Sequence, residues 1–122
     1  MTLLVAVVSF GINAQTTTSL DGKKFKIEAW DETKSDLKTP EELIFKNGMV
    51  DAPICHEYGF FASRYKATDE DGVIKFTFVN ESEYEGELIF EGYVDGKTVN
   101  GTYTWKKEGR DDLKYQFQGK LN

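Results

Sequence analysis

Apolar and polar positions alternate strictly along the last third of the chain. Tyr84, Gly86, Leu88, Phe90, Gly92 and Val94 share one face, with Glu85, Glu87 and Glu91 on the other. Val99, Gly101, Tyr103 and Trp105 then oppose Asn100, Thr102, Thr104 and Lys106. Leu113, Tyr115, Phe117, Gly119 and Leu121 oppose Lys114, Gln116, Gln118 and Lys120 in the same way. A period of two held over three consecutive segments predicts half-buried antiparallel strands. Earlier segments agree: Phe25, Ile27 and Ala29 alternate with Lys24, Lys26 and Glu28, and Ile74, Phe76 and Phe78 with Lys75 and Thr77.

Turn signals separate these runs at short spacing: Asp21-Gly22, Asn47-Gly48, Asp71-Gly72, Asp95-Gly96 and the stretch KEGRDD. Such dipeptides tolerate the positive φ angles that tight hairpin turns demand. The pattern predicts eight strands, at 23–32, 41–47, 49–55, 61–68, 73–80, 84–94, 98–107 and 113–121. TPEEL, from Thr39 to Leu43, has the form of a capped helix start with Pro40 at its first position. Asn47-Gly48 follows so soon that any helix there is limited to one turn, and LIFK reads as strand.

Eight short strands, each with one apolar face, bury that face by closing into a barrel or by stacking as a sandwich. Hairpin turns throughout favour closure, which also removes exposed sheet edges. The expected fold is therefore all-β, a single eight-stranded antiparallel up-and-down β-barrel. Gly86, Gly92, Gly101 and Gly119 on the inner face suit strands that coil tightly.

The first fifteen residues, MTLLVAVVSFGINAQ, break the alternation. An uncharged apolar run from Leu3 to Ile12, with Ala14 before Gln15, has the form of a signal peptide and is too short to span a bilayer. The expected organisation is a leader at 1–14 and one barrel domain at 15–122, exported to the periplasm or the extracellular space. The lone cysteine, Cys55, is far from the expected cleavage point, so a soluble protein rather than a lipoprotein is expected, without membrane insertion after leader removal. One cysteine also leaves no intramolecular disulfide. With 21 acidic and 15 basic side chains the net charge is −6, and no basic cluster is present. That balance argues against nucleic acid and anionic membrane surfaces as partners.

The ordered stretches LDGKKF, ELIFKNGM, CHEYGF, ELIFEGYVDGKTVNGTYTW and YQFQGKL resemble small exported bacterial proteins with a lipocalin-like (calycin-type) barrel. The likeness spans most of the chain after the leader. It implies architecture and export, and brings no activity with it. Lipocalins usually carry Gly-x-Trp on their first strand; here that strand reads KKFKIEAW, so no lipocalin ligand carries over.

APICHEYGF is the densest chemistry on the chain. Cys55 and His56 are neighbours, which in an extended strand point to opposite faces, and no second histidine exists to serve as base or ligand. Cys55 is expected to be a small buried hydrophobe, with Tyr58 and Phe60 plugging one barrel end and Gly59 supplying a sharp bend. Glu85, Glu87 and Glu91 read as a solvated outer row. No Gly-x-Ser-x-Gly, phosphate loop or His-Glu-x-x-His is present. No catalytic residue, metal site or cofactor is expected, and the chain reads as a non-enzyme. Trp30 and Tyr93, on otherwise polar faces, are the candidate surface contacts.

An eight-stranded barrel is just wide enough to be filled by its own side chains or to hold one small ligand. The candidate ligand-binding residues, at the interior and mouth, are Phe25, Tyr58, Phe60, Tyr65, Phe76, Tyr84, Tyr103, Trp105 and Tyr115. The first functional expectation is a non-enzymatic exported barrel that binds a small apolar or amphipathic ligand at its open end. The second is a protein-interaction module, or an inhibitor of a secreted enzyme, acting through loops with a filled barrel.

Overall fold

The computed structural model describes residues 15–122; the leader expected at 1–14 lies outside them. Nine strands form one sheet: β1 (Gln15–Thr17), β2 (Lys24–Asp31), β3 (Lys38–Lys46), β4 (Met49–Asp51), β5 (Ser63–Glu70), β6 (Val73–Ser82), β7 (Gly86–Asp95), β8 (Thr98–Lys107) and β9 (Arg110–Leu121). Strands β2 to β9 pair antiparallel with their sequence neighbours, and β9 pairs with β2, so the sheet closes on itself as an eight-stranded up-and-down barrel. The turns form as the sequence predicts. Asn47 and Gly48 (φ 54° and 76°) and Asp71 and Gly72 (φ 57° and 93°) both take the doubly left-handed conformation of a type I′ hairpin.

Two segments depart from expectation. TPEEL forms no helical turn: Lys38–Pro40 are already strand, lengthening β3 to nine residues. Proline is tolerated there because β4 pairs only with Ile44–Lys46, leaving the rest of that side of β3 outside the ladder. The strand expected at 49–55 stops at Asp51, and Pro53–Tyr58 instead form a 3-10 helix. Pro53 lacks the N–H that a ladder requires but fits a first helical turn. Gly59, at φ 84°, ends the helix in the left-handed conformation, its N–H donating to His56 O at 2.9 Å.

The early end of β4 shapes the molecule. β4 reaches only Arg64 and Ser63 of β5, and the short β1 covers the far part of that strand, with Thr17 opposite Thr68. Near Glu41 the wall between β3 and β5 has no strand in it. The 3-10 helix packs against β3 there and roofs the opening.

The interior is filled through its middle. Phe25, Phe45, Phe76, Phe90 and Phe117 are each at most 1% exposed. The rings of Phe78, Phe90, Tyr103 and Tyr115 stack in a column, with successive centroids 4.3, 4.5 and 4.7 Å apart. The column fits because Gly92 and Gly101 face each other across β7 and β8, where Phe76 and Phe117 lie against the bare backbone. One end of the barrel is sealed by fully buried Leu20 and by Tyr65. The opposite end, ringed by the 32–37 loop, the 52–62 segment and the turns at 83–85 and 108–109, is the mouth.

A candidate binding pocket at the barrel mouth

Alternation places Glu41, Leu43 and Phe45 on the inner side of β3, and the pairing of Glu41 with inward-facing Ile27 confirms it. At the mouth the aromatic column reaches this glutamate. The Tyr103 hydroxyl donates to Glu41 Oε2 at 3.2 Å, while Glu41 Oε1 is buried without a protein partner. Burial holds the Glu41 carboxyl above the ordinary glutamate range, opposed by the Tyr103 hydrogen bond. Burial likewise pushes the Tyr103 and Tyr115 phenols up.

Above this carboxylate lies a cavity of about 200 Å³. Its floor is Glu41 and Tyr103, and its walls are Leu88, Phe60, Trp105 and Tyr115. Its roof is the 3-10 helix, through Ile54, Cys55, Glu57 and Tyr58, with Thr39 at the rim. A second depression of about 260 Å³ adjoins it across Thr39, Glu41, Tyr103 and Tyr115, and adds Asp31, Lys34 and Leu37.

Trp105 is fixed from several sides. Its Nε1 donates to Glu85 O at 2.6 Å, and the Arg110 guanidinium rests 4.7 Å from its ring centre. Tyr58 and Phe60 meet its ring edge-on at 5.5 and 6.1 Å. The roof is tied down as well: Ser82 Oγ donates to Tyr58 O at 2.7 Å and accepts from Glu85 N–H at 3.2 Å. The wall is thus built before any ligand arrives, as small-molecule sites usually are.

Of the nine residues expected at a ligand site, five come together here: Tyr58, Phe60, Tyr103, Trp105 and Tyr115. The other four do not join them. Phe25 and Phe76 are wholly buried in the packed middle. Tyr65 sits at the sealed end, where its hydroxyl accepts from Leu20 N–H at 2.8 Å and donates to Asp21 Oδ1 at 2.7 Å. Tyr84, placed on the inner face by alternation, lies in the β6–β7 turn and is 78% exposed, because β7 begins only at Gly86.

Glu41, Leu88, Ile54 and Glu57 also line the cavity and are not among the nine candidates. Glu41 has the inner parity of Leu43 and Phe45 within the strand expected at 41–47, a signal that a choice among aromatic residues alone does not pick up.

Cys55 is half-buried, packs against the core and faces the cavity; burial, with Glu41, Asp51 and Glu57 nearby, pushes its thiol up to about 12. His56 turns to Asp51, Nε2 to Oδ1 at 2.8 Å, and stacks obliquely on Phe61. A thiol held protonated beside an occupied imidazole is a poor nucleophile. Among the described residues no three His, Cys, Asp or Glu side chains gather as a metal site.

Compared with known proteins, the chain matches no family model, no curated protein and no solved structure. The eight-stranded antiparallel barrel is consistent with a lipocalin-like fold on geometry alone.

Elsewhere the surface offers less. Trp30 is stacked by Lys38 Nζ at 5.0 Å, and Tyr93 lines a shallow outer hollow between strands β7, β8 and β9. A broader depression of about 670 Å³ runs over β2, β8 and β9 at the sealed end, with no buried polar group aimed into it. By contrast five of the six large apolar side chains left exposed among the described residues, Leu37, Ile54, Tyr58, Phe61 and Tyr84, ring the mouth; the sixth, Val79, lies on the outer face of β6.

Proposed function

We propose that the protein is a non-enzymatic, exported, lipocalin-like barrel that binds one small amphipathic molecule at its mouth. The observation that supports this best is the mouth cavity itself: a preformed, mainly apolar hollow with five aromatic walls and one buried carboxylate, in a barrel whose middle is packed. At about 200 Å³ it suits a ligand of single-ring size. The apolar leader form of residues 1–14 supports export, and the protonated state of Cys55 speaks against nucleophilic catalysis.

Titration with a small fluorescent apolar probe tests the reading. Binding is expected to saturate at one probe per chain and to perturb the emission of Trp105, with the Trp30→Phe variant isolating that signal. A signal that rises without saturation would remove the proposal. Protein recovered from the envelope fraction is expected to begin at Gln15.

The exposed apolar ring around the mouth favours a second reading, a protein-interaction module or inhibitor of a secreted enzyme that docks there. In that case Phe61→Ser with Tyr84→Ser loses a partner captured from envelope extracts while probe binding persists.

A further inference from the structure

Resting on the proposed mouth site, we infer that its ligand is an organic amine, with an ammonium paired to Glu41 and an apolar ring held among Tyr58, Trp105 and Tyr115. The carboxylate is the only polar group of the floor besides the Tyr103 hydroxyl, and that hydroxyl is already spent on Oε2. Oε1 has no protein donor. A buried carboxylate oxygen without a donor is costly, so a ligand that brings an N–H offsets a penalty built into the empty fold.

The surroundings select for positive charge. From the roof, Cys55 is neutral, Glu57 adds a carboxylate and His56 is turned to Asp51; from β4, Asp51 lies close enough to act on Cys55. From β8 and β9, Tyr103 and Tyr115 are neutral phenols. Across the adjoining depression, Asp31 and Lys34 offer one charge of each sign, and Arg110 is committed to the Trp105 ring. The balance facing Glu41 is negative, so a carboxylate ligand would meet repulsion. Aromatic faces attract cations, most strongly when water is excluded, and the exposed Arg110 already makes a weaker contact of this kind on Trp105. Among organic cations, donation to Oε1 requires an N–H, which favours a protonated amine over a quaternary ammonium.

The test compares three probes of equal shape by calorimetry: 2-phenylethylamine, 2-phenylethanol and phenylacetate. The amine is expected to bind at least about tenfold more tightly than the alcohol, as a charge-assisted hydrogen bond exceeds a neutral one, and phenylacetate most weakly. In Glu41→Gln the amine-to-alcohol ratio is expected to fall to about one. A wild-type pH series needs no variant: amine affinity is expected to decline as pH drops through the raised Glu41 range, while alcohol affinity holds. Equal binding of amine and alcohol, or a pH-independent ratio, overturns the amine assignment and leaves the mouth site standing. Failure of all three probes and of the fluorescent probe overturns both.

Discussion

Tyr103 and Glu41, 62 residues apart in sequence, meet across the barrel interior, the phenol donating to Glu41 Oε2 at 3.2 Å. Their strands, β8 and β3, are not neighbours in the sheet; β2 and β9 stand between them. The contact therefore exists only because the sheet closes, and it puts a carboxylate where a solid apolar core would otherwise continue.

The first prediction concerns stability against pH. The Glu41 carboxyl titrates above its ordinary value of 4.5 in the folded chain because burial disfavours its charge. Between the ordinary and the raised value the folded state holds more protons than the unfolded one. Its contribution to stability is thus fully present below about 4.5 and is lost as pH rises through the folded value. Glu41→Gln has no charge to bury. Urea midpoints of variant and wild type are expected to diverge in the variant's favour as pH rises across that interval, then to run parallel. Taking the difference cancels the opposite trend from Asp31, whose carboxyl is held low by the Thr33 side chain and backbone. A pH-independent difference would show that Glu41 is not desolvated.

A second prediction concerns Cys55. With its thiol at about 12 rather than 9.0, the folded chain holds roughly a thousandth of the thiolate that a free cysteine would at pH 8. Alkylation by iodoacetamide is expected to be slower than in urea-unfolded chain by a factor of that order. A bound probe is expected to slow it further, since Cys55 faces the cavity. Equal rates in folded and unfolded chain would refute the burial.

The barrel was legible because period-2 alternation is set by backbone geometry and survives every detail of packing; β8 lies at 98–107 as the pattern predicts. What it missed lies where a local signal competes with a tertiary one. Pro40 suggested a helix start, yet pairing with β2 holds Lys38–Pro40 extended. Pro53 stands inside the strand expected at 49–55, yet it follows the end of β4 and starts the 3-10 helix. Both misreadings flank the pocket. The aromatic wall at Tyr103, Trp105 and Tyr115 followed from parity alone. Its roof depends on β4 stopping early, and no alternation records a strand that stops.

At the sealed end, Tyr65 acts as a clasp. Its hydroxyl takes the Leu20 N–H and gives its proton to Asp21, whose carboxylate also accepts the Gly48 N–H at 3.0 Å. This fixes the segment that carries buried Leu20 over the barrel end. Tyr65→Phe orphans a part-buried donor and is expected to cost about 1–3 kcal/mol in chemical denaturation. Probe affinity at the mouth, on the far side of the packed middle, is expected to stay unchanged; a matching loss of affinity would mean that the two ends are coupled.

Gly101 is held to zero side chain by its surroundings. An added methyl group would strike Glu91 O of the paired strand and come within 2.7 Å of both Gly92 Cα and the Phe117 ring. Backbone cannot yield as a side chain can, so Gly101→Ala is expected to destabilise by at least about 2 kcal/mol. At Gly92 the nearest obstacle is the Phe76 ring, a side chain and not backbone. Gly92→Ala is therefore expected to cost less, and thermal melts of the two variants give the order. The reverse order would mean that the packing around Phe76 is stiffer than the β7–β8 ladder.

The roof of the pocket hangs on Ser82, whose hydroxyl bonds Tyr58 O and the Glu85 N–H together. Glu85 O in turn receives the Trp105 indole. One hydroxyl thus links the 3-10 helix, the β6–β7 turn and the tryptophan of the cavity wall. Ser82→Ala removes two hydrogen bonds at a partly exposed site, so global stability is expected to fall by only about 1 kcal/mol. The larger effect is expected in exchange. With Tyr58 untethered, the helix opens more readily, and stopped-flow traces should show probe association and dissociation both several-fold faster, with affinity nearly constant. A change in affinity at constant rates would assign Ser82 to shaping the bound state instead of gating the way in.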